Sequence, residues 1–241
     1  GKEAVAAKNW DDYNLYKHKL SDSSLLPYLE YSYYEATIQE SDPREILRFT
    51  SRYANEPFAN TLRNLVFTHR SKDQDYRFIL DTANYINSPY LRCYLYEAQI
   101  KNNELDDDAF QQEWLSRLTL PSNCGLVEES WLKKKRSYDL VRNKIEQLIE
   151  RHFLTRARNL LPFLPEAEAP YYEHFIKLLF NPETLLNTSQ LYSDSSRFYR
   201  LVIKQWAKKD SIAAQKGLDY LQEKKMLSEP HFIELRNQLA I

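Results

Sequence analysis

Three glycines, Gly1, Gly125 and Gly217, serve all 241 residues. At average usage a chain of this length carries about seventeen. Glycine is the residue that enters left-handed and other strained backbone conformations at little steric cost, so a chain this poor in it can place few residues at positive φ. Dinucleotide-binding folds and P-loops need several such glycines for close approach to phosphate, and both are excluded. What remains is a fold of regular segments joined by turns that other residue types can make.

Those segments are helical. Apolar residues recur with period 3.6 along nearly the whole chain, and alternation over five residues appears nowhere convincingly. Trp10 to Leu20 predicts one helix, with Tyr13, Tyr16 and Leu20 on one face. "SSLLPYLEYSYYEATI" predicts a second, with Leu26, Leu29, Tyr33 and Ala36 at helical spacing. In "ESDPREILRFTSRYAN" Asp42 can cap and Pro43 suits the first turn; "EPFANTLRNLVFTH" repeats the device with Pro57, turning Leu62, Leu65 and Val66 inward. "DQDYRFILDTANYI", "SPYLRCYLYEAQI", "LDDDAFQQEWLSRL", "VEESWLKKKRSYDLVRNKIEQLIERHF", "TRARNLLPFLP" and "APYYEHFIKLLF" continue the pattern. "PETLLNTSQLY", "SRFYRLVIKQWAKK", "IAAQKGLDYLQEKKM" and "SEPHFIELRNQLA" complete it. The sum is about fourteen or fifteen helices with links of roughly 2 to 6 residues. Short links force neighbours antiparallel, so the predicted fold is all-α: an irregular superhelix, or solenoid, of helical hairpins. No fixed period of tetratricopeptide or ankyrin type holds. The eighteen tyrosines suit wide interhelical gaps, their hydroxyls reaching the surface. Residues 1–241 read as one domain, with a weak joint at "LPFLPEAEAP", 161–170, where three prolines interrupt the helices.

Charge is nearly balanced, with 33 basic residues against 34 acidic. Nucleic-acid binding as the main task needs a large basic excess and is disfavoured. No run of 18 apolar residues exists to span a bilayer. No signal peptide is visible, and Gly1-Lys2-Glu3 reads as a tag remnant or a trimmed start, which leaves room for a removed leader.

Few residues suggest chemistry. Cys93 and Cys124 lie 31 positions apart with no His or Cys at metal-ligand spacing, so no metal site and no cofactor is expected. The histidines His18, His69, His152, His174 and His231 are scattered singly and offer no partner for a nucleophilic cysteine. By composition, two free thiols and a disulfide are equally good readings. The position of Cys124 in "LPSNCG", after the helix ending near Leu118, favours the disulfide, because that loop can fold back on the neighbouring helix. Such a cross-link stabilises by roughly 3–4 kcal/mol if unstrained. A basic segment runs through Lys133, Lys134, Lys135, Arg136, Arg142, Lys144, Arg151, Arg156 and Arg158. It reads either as a surface for an anionic polymer or as a solvated helix face balanced by runs such as Asp106-Asp107-Asp108, and charge runs are usually the latter. Glu129-Ser130 in "VEESW" superficially suggests a catalytic acid, but it falls on a regular helix beside Trp131 without a cleft or glycine loops. The aromatic "YLEYSYYE" reads as core and inter-repeat packing before sugar stacking.

Three stretches carry a resemblance. "LLPYLEYSYY" and "PFANTLRNLVFTHRSKDQDYRFI" resemble segments of the soluble lytic transglycosylases of Gram-negative bacteria. More specific is "SPYLRCYLYEAQIKNNELDDDAFQQEWLSRLTLPSNCGLVEESWL", in which Leu91, Arg92, Cys93, Ala98, Trp114, Leu115, Pro121, Cys124 and Trp131 match that family's two-cysteine block. The likeness covers about residues 9 to 165; beyond, only the hairpin style agrees. It implies the family's N-terminal α-superhelical, U-shaped domain, a Cys93–Cys124 disulfide and a periplasmic address. The family's full enzymes cleave the MurNAc-GlcNAc bond of peptidoglycan without water, leaving a 1,6-anhydro sugar, by means of a separate C-terminal catalytic domain. That domain pairs a Glu-Ser step with a downstream Gly-Leu-Met-Gln run, and no Gly-Leu-Met appears here: the one methionine is Met226, in "EKKMLSEP".

The resemblance therefore implies a non-catalytic scaffold, either an N-terminal fragment of a transglycosylase, which is the favoured reading, or a shortened relative without the enzyme domain; in both, no catalytic residue is carried over. Its expected partners are glycan strands or cell-wall proteins, plus the parent's catalytic domain; neither nucleic acid nor a transmembrane segment is expected. Leu239 and Ile241 would pack on a further repeat. The rival reading, from the helical pattern alone, is a cytosolic TPR-like adaptor with a peptide in its groove.

Overall fold

The computed structural model describes residues 1–135 (Lys135 by its backbone only) and 137–239. It contains fifteen α-helices among the described residues and no strand. The chain packs as two compact units, the first made of Gly1–Glu113 and Leu120–Ser130, the second of Trp114–Thr119 and Trp131–Ile241. The segment 161–170 lies inside the second unit.

The first unit holds α1 (Lys2–Ala6), α2 (Trp10–Lys19), α3 (Leu26–Ala36), α4 (Pro43–Arg52), α5 (Pro57–Lys72), α6 (Tyr76–Asp81) and α7 (Pro89–Lys101). It also takes the start of α8 (Asp107–Ser116), a 3-10 turn at Ser122–Cys124 and the first half of α9 (Gly125–Lys135). The second unit continues with α10 (Tyr138–Glu150), α11 (Leu154–Leu160), α12 (Ala169–Phe180), α13 (Ser196–Ala207), α14 (Ser211–Glu223) and α15 (Glu229–Leu239). Chain neighbours are packing neighbours: α4 lies on α5, α6 on α7, α10 on α11 and α13 on α14. The expected row of helical hairpins is what each unit contains.

The helix starts follow from sequence. Asn9, Asp42, Asp75, Ser88 and Asp210 each accept a hydrogen bond from a first-turn backbone N–H, satisfying donors that the helix cannot. Pro43, Pro57 and Pro89 open α4, α5 and α7, where a missing N–H costs nothing.

The helix ends are less obvious. Lys8, Gln74, Asn103, His152 and Lys225 have φ between 52° and 61°, and no described glycine has positive φ. Each follows the C-cap of α1, α5, α7, α10 or α14. In each the next N–H reaches back to the helix, as Asp75 N to Arg70 O at 2.8 Å and Met226 N to Leu221 O at 2.9 Å. These are Schellman ends built without glycine. The glycine count was right that such positions are few, but the residues occupying them are not the glycines. Gly217 has another role: it lies in α14 against α13, where a Cβ would come within 2.6 Å of the Trp206 ring.

The core of the first unit is centred on Ile46, Leu47, Leu62, Phe67, Ile79 and Leu91. Arg63 is buried beside it, its Nη2 donating to Thr50 O at 2.8 Å and its Nε to Thr50 Oγ1 at 3.0 Å, which closes the carbonyl end of α4. Burial lowers the Arg63 pKa. In the second unit Phe175, Ile176, Phe198, Val202 and Leu218 are fully buried. Tyrosines fill the gaps as expected: the Tyr34 hydroxyl donates to Glu45 at 2.9 Å and that of Tyr172 to Glu146 at 2.9 Å.

Three local expectations change. The long helix from Val127 to Phe153 is two, α9 and α10, because the backbone at Ser137 is extended (φ −97°, ψ 125°) and begins a new helix. "PETLLNTSQLY" forms a 3-10 helix, Pro182–Asn187, not a full α-helix. On α2 only Tyr13 is buried; Tyr16 stays exposed, its ring beside Lys19 Nζ. Arg136 and Ile241 lie outside the described residues.

Candidate functional site

The most constrained locus is the cysteine block of the first unit. Ser88 caps α7 and Pro89 opens it, so Leu91, Cys93, Tyr94 and Ala98 point into the core. The link after α8 returns through the Ser122–Cys124 turn, and Asn123 Nδ2 donates to Tyr90 O at 2.9 Å. That places Cys124 on α7, and the Cys93–Cys124 disulfide forms with Cα atoms 4.9 Å apart. From α8, Glu113 accepts from Arg92 at 3.1 Å and from the Tyr96 hydroxyl at 3.3 Å, while Phe110 sets its ring edge-to-face with Tyr96 at 5.0 Å. Both cysteines are about 1% exposed. A bridge so enclosed is a staple between α7 and the turn, out of reach of a redox partner.

In the second unit Trp114 and Trp131 pack at 5.6 Å, and Lys144 closes the end of α8. Lys144 is buried; its ammonium donates to Trp114 O at 2.8 Å and to Arg117 O, and stands 5.3 Å from the Trp114 ring centre. Leu91, Cys93, Ala98, Trp114, Cys124 and Trp131, six of the nine positions that carried the resemblance, are thus buried. Their spacing records how helices pack and says nothing of catalysis.

The basic segment does not form one free surface. Arg142 makes a paired contact with Glu168 at 2.9 and 3.1 Å and another with Asp139. Those hydrogen bonds, Glu168 first, raise its pKa. Arg158 pairs with Glu173 at 3.1 Å and lies over the Phe180 ring. Arg156 is half-buried on α11, and Lys133 and Lys134 are exposed on α9. The Lys135 side chain and Arg136 fall outside what is described. Glu129 stands on the exposed side of α9, a helix-surface position. Among the described residues no group of three His, Cys, Asp or Glu is placed to hold a metal ion, and no helix is long and apolar enough to cross a membrane.

Two cavities were not foreseen from sequence. One, of about 690 Å³, is lined by Leu161, Pro162, Leu164, Ala169 and Pro170, with Arg158 and Glu173 at its edge. Pro162 and Pro170, from the segment expected as a weak joint, line its apolar wall. The other, of about 220 Å³, is polar and lies among Trp10, Tyr33, Thr37, Glu40 and Glu45. The aromatic spacing that marked Tyr33 and Tyr34 as packing residues was correct, since Tyr33 stacks on Tyr13 at 4.6 Å. It gave no sign that Tyr33 also walls a pocket.

Fold and site together define an all-α array of antiparallel helical hairpins with one buried staple. No protein-family model and no curated protein matches the sequence. Solved structures share the fold. The chain is 19% identical to the 70 kDa soluble lytic transglycosylase from Escherichia coli, with a TM-score of 0.81 over 99% of this chain and 40% of that one. The complex of the 70 kDa soluble lytic transglycosylase with bulgecin A gives a TM-score of 0.79 at 19% identity, with the same coverage. An inactive mutant of lytic transglycosylase Slt from Pseudomonas aeruginosa gives 0.68 at 20% identity, over 92% of this chain and 37% of that one. The chain spans about two fifths of the length of these neighbours.

Proposed function

We propose that this chain is the non-catalytic, N-terminal superhelical scaffold of a soluble lytic transglycosylase. In this reading it resides in the periplasm of a Gram-negative bacterium and holds glycan strands or cell-wall proteins near a C-terminal catalytic domain. The parent enzyme would cleave MurNAc-GlcNAc bonds of peptidoglycan to 1,6-anhydro products. The observation that carries the reading is a fold likeness over 99% of the chain to a lytic transglycosylase, joined to a disulfide on the two cysteines of the matching block. A buried bridge suits an oxidising compartment. Of the residues proposed as a surface for an anionic polymer, Lys133, Lys134 and Arg158 are exposed.

Release of labelled muropeptides tests the assignment. This chain alone is expected to yield no anhydro product, and turnover would overturn the non-catalytic role. Counting thiols under denaturing, non-reducing conditions tests the address: an intact bridge supports the periplasm, and two free thiols would move the chain to a cytosolic adaptor.

A further inference from the structure

The polar pocket of the first unit has no place in the scaffold reading, and its chemistry points one way. It lies at the C-terminal turn of α3, whose cap residue Thr37 sends both its N–H and its hydroxyl to Tyr33 O, at 2.9 and 2.8 Å. That helix end carries the negative pole of the dipole. The facing N-terminus of α4 is already capped by Asp42, whose Oδ1 accepts from Arg44 N at 2.9 Å. Two carboxylates, Glu40 and Glu45, complete the lining, and no basic side chain does. Trp10 and Tyr33 stand edge-to-face at 5.4 Å and offer aromatic surface. Helix end, carboxylates and π-systems all favour a cation, and the rings favour one borne on an apolar stem.

We infer that this pocket binds a primary alkylammonium group, of the kind a lysine side chain presents, its stem against Trp10 and Tyr33 and its charge between Glu40 and Glu45. The cavity suits a ligand of one residue's size, being smaller than typical drug-sized sites. The chain supplies a small analogue of the contact: Lys8 Nζ lies 3.6 Å from Glu40, both side chains more than 60% exposed. Pairs this solvated are weak, so an incoming ammonium can displace it. The same negative field shows at the rim, where burial first and Glu45 second push the Tyr34 hydroxyl pKa up.

Trp10 makes the test direct, because Trp114, Trp131 and Trp206 are buried and only Trp10 borders the pocket. The full chain is titrated with Nα-acetyl-lysine amide while its fluorescence is followed. Nα-acetyl-norleucine amide and N-acetylglucosamine serve as uncharged comparators. The expected result is a saturable change with the lysine probe alone, weakened about tenfold in Glu40→Gln/Glu45→Gln. Both glutamates are exposed, and glutamine still accepts from Tyr34, so the variant should melt like the parent. Glu40→Lys alone, which reverses one charge at an exposed loop position, is the second variant and should weaken binding at least as much. No saturable change, an equal response to norleucine amide or to the sugar, or undiminished binding in both variants would overturn the inference. Neither result bears on the cell-wall reading, which rests on other residues.

Discussion

Gly217 and Gly125 are both helical, yet they should respond oppositely to the same change. At Gly217 an added methyl would meet Trp206 Cζ3 at 2.6 Å and Ile203 Cδ1 at 3.0 Å. Gly217→Ala is therefore expected to cost about 1–3 kcal/mol by forcing α13 from α14. Gly125 has ordinary helical dihedrals (φ −55°, ψ −45°) and nothing within 4 Å of a built Cβ, so Gly125→Ala should gain about 0.5–1 kcal/mol through a less flexible unfolded chain. Chemical denaturation of both variants checks the pair. The helix ends offer the reverse experiment. Lys225 sits at φ 58°, where an L-residue is strained by roughly 1–2 kcal/mol. Lys225→Gly should relieve that strain, less the added freedom of the unfolded state, and leave a net gain of about 0.5–1 kcal/mol.

A pH effect also belongs to single side chains. Burial, and after it the charge of Lys177, holds the His174 imidazole below its ordinary 6.5; His152 is shifted the same way by burial and Lys208. Because the folded chain binds these protons more weakly than the unfolded one, their stabilisation is complete above about pH 6.5 and is lost as pH falls from there toward the folded values. The melting temperature should decline between about pH 6.5 and 5, before most carboxylates titrate. His174→Gln should flatten that slope, and an unchanged slope would remove His174 from the account.

At the scale of elements, what joins α7 to its neighbours is partly covalent and partly polar. The disulfide closes a separation of 31 residues, and constraining an unfolded loop of that size stabilises by about 3–4 kcal/mol. A Cys93→Ser/Cys124→Ser double variant should show a clearly lower melting temperature. If its melting curve matches the parent, the Asn123–Tyr90 and Glu113–Arg92 contacts hold the turn without the bridge. Much of this element-level order was legible beforehand. Capping residues, first-turn prolines and the 3.6 period place most helices close to where they stand. The failures are local. Ser137 starts a helix inside a run whose apolar periodicity passes straight through it, and a period does not reveal one extended residue. Pro182–Asn187 tightens to 3-10 geometry, and its two leucines, being adjacent, give no period by which to tell that from an α-turn.

Across the whole molecule, the staple lies within one of the two compact units. In the Cys93→Ser/Cys124→Ser variant, amide hydrogen exchange should rise in α6, α7 and the Ser122–Cys124 turn while α10 to α14 keep their protection. Uniform loss of protection would mean that the two units open as one. Gross architecture was open to sequence reasoning, because glycine scarcity, helical period and short links leave few ways to fold. Sites were not. Lys144 lay in a basic run that read either as a polymer surface or as a solvated helix face, yet it is buried on the carbonyls of Trp114 and Arg117. Arg142 and Arg158 meet glutamates on α12 or at its N-cap, partners that no count of charges along the chain identifies. The residues of the polar pocket come from α2, α3, the following loop and α4, and only packing brings them together.

The amino-acid sequence alone determined the helical class, the hairpin style and where helices begin. These are decided by interactions among residues a few positions apart, which leave a readable period and readable caps. The tertiary structure decided which charges are neutralised, which glycine admits a methyl group and where a cavity remains. Those depend on distances between residues far apart in the chain, and a linear pattern does not encode them.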